Sequence, residues 1–401
     1  MTEQLKLKLN DSKATRWGAL VIVAFTMMAA YYVNDVVAPL KTMLETDLAW
    51  SSTDFGFFTG GYSFLNVFFL MLIWGGLILD RFGIRFTGKL ATILMVGGTA
   101  LEYYAMTGLA GADATLFGIN EIFGYKTGVF VAFAGYSIFG VGAEVAGITV
   151  SKIIAKWFKG KELATAMGVQ VALARIGSQA GYAVAIPLAR AFGISTPVLL
   201  GLVLLLGGMI AFFVFAVMDK KLDKQMEAAA IAAGTEDEEE KFSFKDVKNI
   251  LVNPGFWLIA LLCVLFYSCV FPFQKFASEL MIIKYGINEN VAGTFAGLPA
   301  LGALILTPVF GGFIDKRGKS ASIMLLGSAM LICVHFIYAI PDINYWLVAI
   351  VLMIILGIAF SLVPSAMWPA VAKIFPVSQL GTAYALIFFI QNIGLWGIPT
   401  L

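Results

Sequence analysis

The stretch Gly76-Leu77-Ile78-Leu79-Asp80-Arg81-Phe82-Gly83 decides the fold, because it returns later as Gly311-Gly312-Phe313-Ile314-Asp315-Lys316-Arg317-Gly318. Both copies share the frame G-x-x-x-D-x-x-G, and each lies in a loop between two long apolar segments. A loop repeated in the same order of spans predicts two halves related by an axis along the membrane normal. We therefore predict an all-α polytopic membrane protein of two six-helix halves, the architecture expected of an alternating-access carrier.

Composition places the chain in a membrane and excludes several classes of protein. It is 60% hydrophobic and only 13% charged, unlike a soluble domain. Its net charge of +2 gives no reason to expect a nucleic-acid partner. With one histidine, no phosphate-binding loop and no metal-ligand spacing, we expect no enzyme, no metal and no cofactor.

Eleven apolar spans can be counted along the chain. They cover approximately residues 17–40, 55–79, 87–110, 127–154, 163–189, 196–218, 251–276, 290–313, 320–340, 345–372 and 379–401. The chain ends inside apolar sequence, so we expect the last helix of the second half to be absent from it. Basic residues such as Arg81, Lys156 and Lys316 cluster in alternate loops, which the positive-inside rule places in the cytoplasm together with the N-terminus.

The spans predict four regions. These are a cytoplasmic N-terminus at 1–16, an N-terminal six-helix half at 17–218, a cytoplasmic linker at 219–250 and a C-terminal half at 251–401. The linker carries an acidic run at 236–240, so we interpret it as a solvated connection, with a regulatory helix as the alternative.

Two lone charges, Glu144 and Arg175, lie near the middle of consecutive apolar spans. At about 1.5 Å per residue, both lie roughly 22 Å from the loop that joins these spans, near the bilayer midplane. An ionised side chain there costs at least ~2.5–3.5 kcal/mol unless it is paired or hydrated. We therefore expect a wet cavity at this depth.

A second internal repeat indicates that the fold needs neither of these two charges. It aligns Leu163 with Leu380 at a constant offset and places Ser361 opposite Glu144 and Asn392 opposite Arg175. Because the other half uses neutral residues, folding does not require charges at these positions, which favours a role in binding both ends of a zwitterion. A structural ion pair that locks two helices is the alternative.

The Asp80 and Asp315 loops resemble the signature of the major facilitator superfamily. Further stretches, from the first span to the eleventh, resemble its lysosomal dipeptide-transporter branch: Tyr62-Ser63-Phe64-Leu65-Asn66, Asp80-Arg81-Phe82-Gly83-Ile84-Arg85, Trp157-Phe158-Lys159-Gly160-Lys161-Glu162-Leu163, Ala174-Arg175-Ile176-Gly177-Ser178, Phe271-Pro272-Phe273, Leu380-Gly381-Thr382-Ala383-Tyr384 and Gln391-Asn392-Ile393-Gly394. The resemblance implies that Glu144 faces the ammonium group of a dipeptide and Arg175 its carboxylate. It also implies uniport, without an obligatory proton.

The chain departs from the superfamily at Tyr136, where many members have an arginine four residues before the glycine that matches Gly140. This departure weakens any inference of proton coupling. We find no acidic-dileucine sorting signal and expect a bacterial homologue in the inner (plasma) membrane. We further expect a monomer whose partners are the lipid bilayer and a small-molecule substrate, and leave an accessory subunit open.

Other mid-span residues are candidates to line the substrate pocket: Tyr31, Asp35, Tyr62, Asn66, Tyr267, Phe271, Trp368, Gln391 and Asn392. Glu102 is expected to face the wet outer half of its helix. Candidates for conformational control lie in the repeated loops: Asp80, Arg81, Gly83, Arg85, Asp315 and Gly318. There we expect the two aspartates to accept hydrogen bonds from helix N-termini, and Gly76 and Gly311 to allow close helix approach. Ordinary topogenic charges are the alternative.

We therefore predict a transporter that moves dipeptides or similar zwitterions by alternating access. One alternative is a proton-coupled symporter or antiporter of organic anions, in which Arg175 binds the anion and Glu144 titrates. Another is a non-transporting membrane scaffold or receptor, which would tolerate Glu144→Gln.

Overall fold

The computed structural model describes residues 8–111, 114–158, 161–233, 244–375 and 377–401, and it is almost entirely helical. The strands among these residues are β1 (Glu121–Ile122) and β2 (Tyr125–Lys126), which pair antiparallel with Ile122 opposite Tyr125. The predicted all-α architecture is confirmed.

The N-terminal part of the molecule, residues 8–233, contains the first group of helices. They are α1 (Lys13–Val36), α2 (Lys41–Asp47), α3 (Ser52–Phe68), α4 (Met71–Thr107), α5 (Thr127–Trp157), α6 (Leu163–Phe192) and α7 (Thr196–Ala233). Short 3-10 turns precede α1 at Leu9–Asp11 and follow it at Ala38–Leu40. Because α7 continues past residue 218, the beginning of the predicted linker is helical.

The C-terminal part, residues 244–401, contains the second group. Its helices are α8 (Phe244–Val252), α9 (Pro254–Ile283), α10 (Glu289–Ala296), α11 (Leu298–Arg317), α12 (Ser320–Ala339), α13 (Trp346–Ile374) and α14 (Val377–Thr400). The acidic run of the predicted linker lies outside the described residues. The boundaries predicted for the two halves therefore stay predictions.

Eight of the described helices are long and apolar enough to cross a membrane, and the bent pair formed by α3 and the start of α4 makes a ninth. Two of the eleven predicted spans, 87–110 and 163–189, are not among them. They fall in the second section of α4, which contains Lys89 and Glu102, and in α6, which contains Arg175 and Arg190.

The second predicted span is broken rather than continuous. Its two pieces meet at an angle of 59°, and Leu70 between them has φ of 54°, a conformation that a leucine rarely adopts. The repeated loops make their turns at equivalent glycines: Gly83 has φ of 76° inside α4, and Gly318 has φ of 67° after α11. Glycine adopts this conformation without a steric penalty, which explains its place in both copies.

Each part contributes a hydrophobic core, and the C-terminal core also includes Ala38 and Tyr182 of the N-terminal part. The N-terminal core includes Val23, Tyr136 and Phe139, and the C-terminal core includes Phe256 and Phe360. Close helix contacts arise where small residues let backbones meet, as membrane helices commonly pack. A Cβ atom on Gly140 of α5 would lie 2.1 Å from the carbonyl oxygen of Tyr62 in α3.

The same kind of contact joins α6 to α1, where a Cβ on Gly177 would lie 2.1 Å from the carbonyl oxygen of Met28. These two crossings place the middle of α5 and of α6 beside the aromatic residues of α3 and α1. The expectation for Gly76 and Gly311 was wrong, because a Cβ at either position would meet no atom within 4 Å.

Candidate functional site

A cavity of about 2800 Å³ lies between the two parts. Its walls come from α1, α3, α4, α5 and α6 on one side and from α8, α9, α11, α13 and α14 on the other. It extends from Asn34 and Lys275 to Arg81, Lys152 and Thr382. We call these two extremes the Lys41 end, after a residue that closes it, and the Arg81 end.

The Lys41 end is closed by polar contacts between the two parts. Lys41 is 1% exposed, and its Nζ donates to Glu279 of α9 at 2.5 Å and to Glu45 at 2.6 Å. Arg190 donates to Asn290 at 2.9 Å and forms an ion pair with Glu289. The cross-part hydrogen bonds and ion pairs between described residues all lie at this end, whereas Arg81 and Phe82, which line the opposite end of the cavity, are exposed.

Glu144 faces the cavity from the middle of α5 and is half-buried. The hydroxyl of Tyr62 donates to its Oε1 at 3.0 Å. The close approach at Gly140 brings α3 near enough for this contact. One donor occupies only part of the hydrogen-bonding capacity of a carboxylate, which can accept about four such bonds.

Arg175 faces the same cavity from α6. Its guanidinium carbon lies 5.5 Å from the ring centroid of Tyr31 in α1 and 5.0 Å from that of Phe360 in α13. A guanidinium placed over aromatic rings is stabilised by cation–π attraction, and its edge N–H groups stay available for hydrogen bonds. Arg175 forms no ion pair with any described acidic residue, Glu144 included.

The neutral residues of the second repeat behave differently. Ser361 is fully buried, and its hydroxyl donates to the carbonyl of Gly357 at 2.7 Å. Asn392 is 1% exposed, and its Nδ2 donates to the carbonyl of Phe388 at 2.9 Å. Both bonds stay within one helix, and neither residue lines the cavity.

Most of the other predicted pocket residues do line the cavity, namely Tyr31, Tyr62, Tyr267, Phe271, Trp368 and Gln391. Asn66 and Asn392 do not, since both are buried between helices at 1% exposure. Asp35 also lies off the cavity wall, where it receives hydrogen bonds from Lys275 at 3.2 Å and Asn34 at 2.9 Å.

The C-terminal wall is aromatic. Tyr267 and Phe271 stack with centroids 5.4 Å apart, and Trp368 stacks on Phe388 at 4.9 Å. The indole of Trp368 donates to the hydroxyl of Tyr267 at 3.3 Å, which fixes the two rings relative to each other. Lys275 is the charged residue that the described C-terminal part contributes to the cavity wall.

Sequence reasoning missed Lys275, Phe360 and Tyr136 as cavity residues. Lys275 could have been found, because it is a lone lysine near the end of the predicted span 251–276 and Asp35 needed a partner. The sequence carries no signal for Phe360, since one phenylalanine among many in apolar spans has no distinguishing neighbour.

The loop residues predicted to control conformation are only partly described. The side chains of Asp80 and Asp315 lie outside the described residues. Arg81 lines the cavity, with its guanidinium carbon 5.6 Å from the ring centroid of Phe82. Arg85 pairs with Asp219 at 3.1 Å and with Asp223, so its described partners belong to the same part of the molecule.

The loop between α5 and α6 also contacts the start of α1 through Glu162. Its carboxylate accepts from Trp17 at 3.0 Å, from Lys13 at 3.1 Å and from Arg16 at 3.0 Å. These donors, Trp17 foremost, lower the pKa of Glu162 to about 2. The group therefore stays ionised at neutral pH.

Comparison with known proteins agrees with this architecture. Residues 20–397 match the sequence profile of the Major Facilitator Superfamily. The chain is 29% identical over 396 residues to the lysosomal dipeptide transporter MFSD1 of Homo sapiens, covering 95% of this chain and 78% of that protein. It is 33% identical over 274 residues to MFSD1 of Gallus gallus, covering 65% of this chain and 59% of that protein.

Solved structures share the fold at low sequence identity. The nucleoside transporter NupG matches with a TM-score of 0.67 at 13% identity, over 95% of this chain and 88% of that one. A bacterial homolog to the human lysosomal transporter Spinster matches with a TM-score of 0.66 at 16% identity, over 97% of this chain and 82% of that one. The chain is a member of the Major Facilitator Superfamily, a multi-pass membrane transporter of a small molecule rather than an enzyme.

Proposed function

We propose that this protein is a uniporter of dipeptides, in which Glu144 binds the ammonium group of the substrate and Arg175 its carboxylate. The observation that carries the proposal is an acid and a base that line one cavity without pairing with each other. The lysosomal dipeptide transporters among the relatives support the substrate class.

Arg175 suits a carboxylate ligand. Its guanidinium lies over the rings of Tyr31 and Phe360, and its N–H groups can form two parallel hydrogen bonds to a carboxylate. Without an acidic partner, a charged guanidinium at this depth requires water or an anionic ligand. The free carboxylate of a peptide would be such an anionic ligand.

Glu144 suits the ammonium group. Tyr62 holds one carboxylate oxygen, and the remaining acceptor positions face the cavity. The peptide termini then bind the N-terminal wall, and the side chains point to the aromatic wall of Tyr267, Phe271 and Trp368. Rings with satisfied hydroxyl and indole groups provide apolar and stacking surface without selecting one side chain.

Transport by alternating access requires that the closed end change. The closed Lys41 end and the open Arg81 end are consistent with one state of such a cycle. The basic residues Arg81, Arg85 and Lys156 support a cytoplasmic location for the Arg81 end and for the N-terminus. We assign the protein to the inner (plasma) membrane as a monomer, whereas the relatives are named lysosomal.

The proposal is tested by thermal stabilisation of the purified protein with free dipeptides, N-acetylated dipeptides, dipeptide amides, amino acids and dicarboxylates. Free dipeptides should raise the melting temperature, and blocking either terminus should remove the effect. The exposed Glu227→Gln and Arg317→Gln variants serve as matched charge controls for Glu144→Gln and Arg175→Gln. Stabilisation by dicarboxylates alone would show that the ligand is an organic anion rather than a dipeptide.

Counterflow in proteoliposomes tests uniport. Labelled dipeptide should accumulate against unlabelled dipeptide with equal pH on both sides. Accumulation that requires an inward proton gradient would establish symport instead. Silence in both assays would favour a scaffold or receptor.

A further inference from the structure

Two turns between α4 and α5 repeat one short pattern. Leu116-Phe117-Gly118-Ile119 and Ile122-Phe123-Gly124-Tyr125 each place Phe-Gly between two apolar residues. In the first turn, the backbones of Leu116 and Ile119 exchange two hydrogen bonds of 3.0 Å. In the second, Ile122 lies opposite Tyr125 in the pair formed by β1 and β2. We call residues 114–126, which contain both turns, the hairpin segment.

Both phenylalanines occupy turn positions that favour other residues. Phe117 and Phe123 each have φ of 53°, and the glycines that follow them have φ of 80° and 81°. Two-residue turns with positive φ at both central positions favour Asn-Gly or Asp-Gly, because a bulky side chain is strained there. Backbone strain of this kind is retained where the residue has a role beyond the turn itself.

The rings at the two turns are almost fully exposed. Phe117 is 96% exposed and Phe123 is 88% exposed, and Ile119 beside them is exposed as well. The charged residues of the hairpin segment are Glu121 and Lys126, and Lys126 donates to the carbonyl of Ala49. Both turns therefore present apolar surface without a charge at the tip, which is typical of a contact site.

Hydrogen bonds and ring stacking fix the hairpin segment at the beginning of α5. The backbone and hydroxyl groups of Thr127 donate to the carbonyls of Asn120 and Ile119 at 2.9 Å and 2.8 Å. Tyr125 stacks on Phe57 of α3 with ring centroids 3.9 Å apart. These partners all belong to the N-terminal part, so the segment can keep its place when the closure at the Lys41 end changes.

The position of Phe123 indicates which surroundings its ring has. The ring centroid lies 5.9 Å from that of Phe130, a half-buried residue in the first turn of α5. The 31 residues of α5 extend roughly 46 Å at about 1.5 Å each, close to the about 40–45 Å of a bilayer with its headgroups. The ring of Phe123 therefore lies back along α5 at the level of the headgroups, rather than away from the membrane.

The last turns of α4, which lead into the hairpin segment, are apolar on their exposed side. Leu101 and Tyr104 are exposed, whereas Glu102 between them is fully buried. The expectation that Glu102 faces a wet helix surface was therefore wrong. An exposed tyrosine near the end of a spanning helix is typical of the membrane–water interface, so the surface beside the segment is one that lipid covers.

We propose that the hairpin segment is a lipid-binding element, in which Phe117 and Phe123 insert between the headgroups and acyl chains of the leaflet at the Lys41 end. Aromatic side chains bind this boundary by burying apolar surface. The lipid contact compensates for the strained backbone of both residues. Because the segment is fixed to the N-terminal part, insertion holds that part, which carries Glu144 and Arg175, at the membrane surface.

The accessibility of nitroxide labels tests the insertion. Single labels are attached to Phe117→Cys or Phe123→Cys, and the protein is reconstituted into phosphatidylcholine vesicles. The native cysteines are first replaced: Cys263, Cys269 and Cys333. Power saturation then compares the accessibility of each label to oxygen, which concentrates in lipid, with its accessibility to a water-soluble nickel chelate.

Two exposed positions serve as matched controls. Ile210→Cys lies within the span of α7 and reports lipid, and Asp342→Cys lies between α12 and α13 and reports water. We expect the oxygen-to-nickel ratio of both hairpin labels to lie severalfold above that of the water control. A ratio equal to the water control at either position would overturn the proposal. So would a label that neither reagent reaches, because a second copy of the chain would then cover the turns.

A second measurement keeps the conformation of both turns. Asparagine is favoured at positions 117 and 123, so the double variant Phe117→Asn/Phe123→Asn strengthens the turns and weakens only the lipid contact. Amide hydrogen exchange of residues 114–126 in the same vesicles should therefore be faster in this variant than in wild type. Slower or unchanged exchange would show that the turns hold the segment without lipid, and would contradict the proposal. Neither measurement uses substrate, so a failure of the dipeptide assignment does not affect them.

Discussion

The two repeats place different chemistry at equivalent positions. In the N-terminal part, Glu144 and Arg175 present a carboxylate and a guanidinium to the cavity. In the C-terminal part, Ser361 and Asn392 bond to carbonyl groups of their own helices and do not reach the cavity. The repeat therefore preserves the helix packing, whereas the departure from it places a carboxylate and a guanidinium on the cavity wall.

The two cavity walls differ in the same way. The N-terminal wall contributes Arg81, Glu144, Lys152 and Arg175, and the C-terminal wall contributes rings together with Lys275. A zwitterion whose termini bind one wall and whose side chains bind the other would use both. The following predictions test this division between charges that bind and positions that only support the fold.

Removing the base should have the largest effect. Arg175→Gln leaves the substrate carboxylate without its charged partner, which costs about 2–5 kcal/mol and weakens binding roughly 30-fold or more. Calorimetric titration with a dipeptide measures the change. Arg317→Gln, at an exposed position of α11, should bind as wild type, and equal affinity of the two variants would show that Arg175 does not touch the ligand.

A position that both repeats share should affect stability instead. Gly177 and its equivalent Gly394 both lie in close contacts, where an added Cβ would approach Met28 or Ser268 at 2.1 Å or 1.9 Å. Gly177→Ala should destabilise the protein by about 1–3 kcal/mol, because the helices must separate. Gly168→Ala in the same helix meets no atom within 4 Å and should melt like the wild type. Equal melting temperatures of the two variants would contradict the packing.

Removing the hydroxyl that orients the acid should have a smaller effect. Tyr62→Phe keeps the ring but deletes the hydrogen bond to Glu144, worth about 0.5–1.5 kcal/mol, so affinity should fall roughly 2–12-fold. Tyr104→Phe, at an exposed position of α4, is the matched control. Tighter binding in Tyr62→Phe would show that Glu144 must release Tyr62 before it can bind substrate.

The smallest effect concerns Glu162, whose equivalent in the second repeat is the neutral Gln379. Because its pKa is lowered from 4.5 to about 2, its ion pairs stabilise the folded state fully above pH 4.5. That contribution is lost as the pH falls through about 2. Wild type and Glu162→Gln should therefore differ slightly in melting temperature at neutral pH and converge in acid. A constant difference would point to another titrating group.

The fold could be predicted because hydrophobic length and the repeated loops are properties of the chain itself. Counting residues at the helical rise predicted one depth for Glu144 and Arg175, and both residues line the same cavity. The direction of a side chain around its helix did not follow, and this explains the errors. Asn66, Asn392 and Glu102 lie at suitable depths, yet they face neighbouring helices rather than the cavity.

Contacts between spans that are distant along the chain could not be predicted from the sequence either. The bond between Asp35 and Lys275 joins α1 to α9, and nothing in either segment specifies the other. The contact of Phe360 with Arg175 likewise joins α13 to α6, which belong to different parts of the molecule. The break at Leu70 interrupts an apolar stretch, and because no proline or glycine stands at this position, the sequence did not predict it.

The most direct test of the binding assignment compares one dipeptide in three forms, free, N-acetylated and C-amidated, by calorimetric titration against wild type, Glu144→Gln and Arg175→Gln. We predict that wild type prefers the free form over both blocked forms. Glu144→Gln should lose only the discrimination against acetylation, and Arg175→Gln only the discrimination against amidation. If Glu144→Gln still rejects the acetylated peptide as strongly as wild type does, Glu144 does not bind the ammonium group.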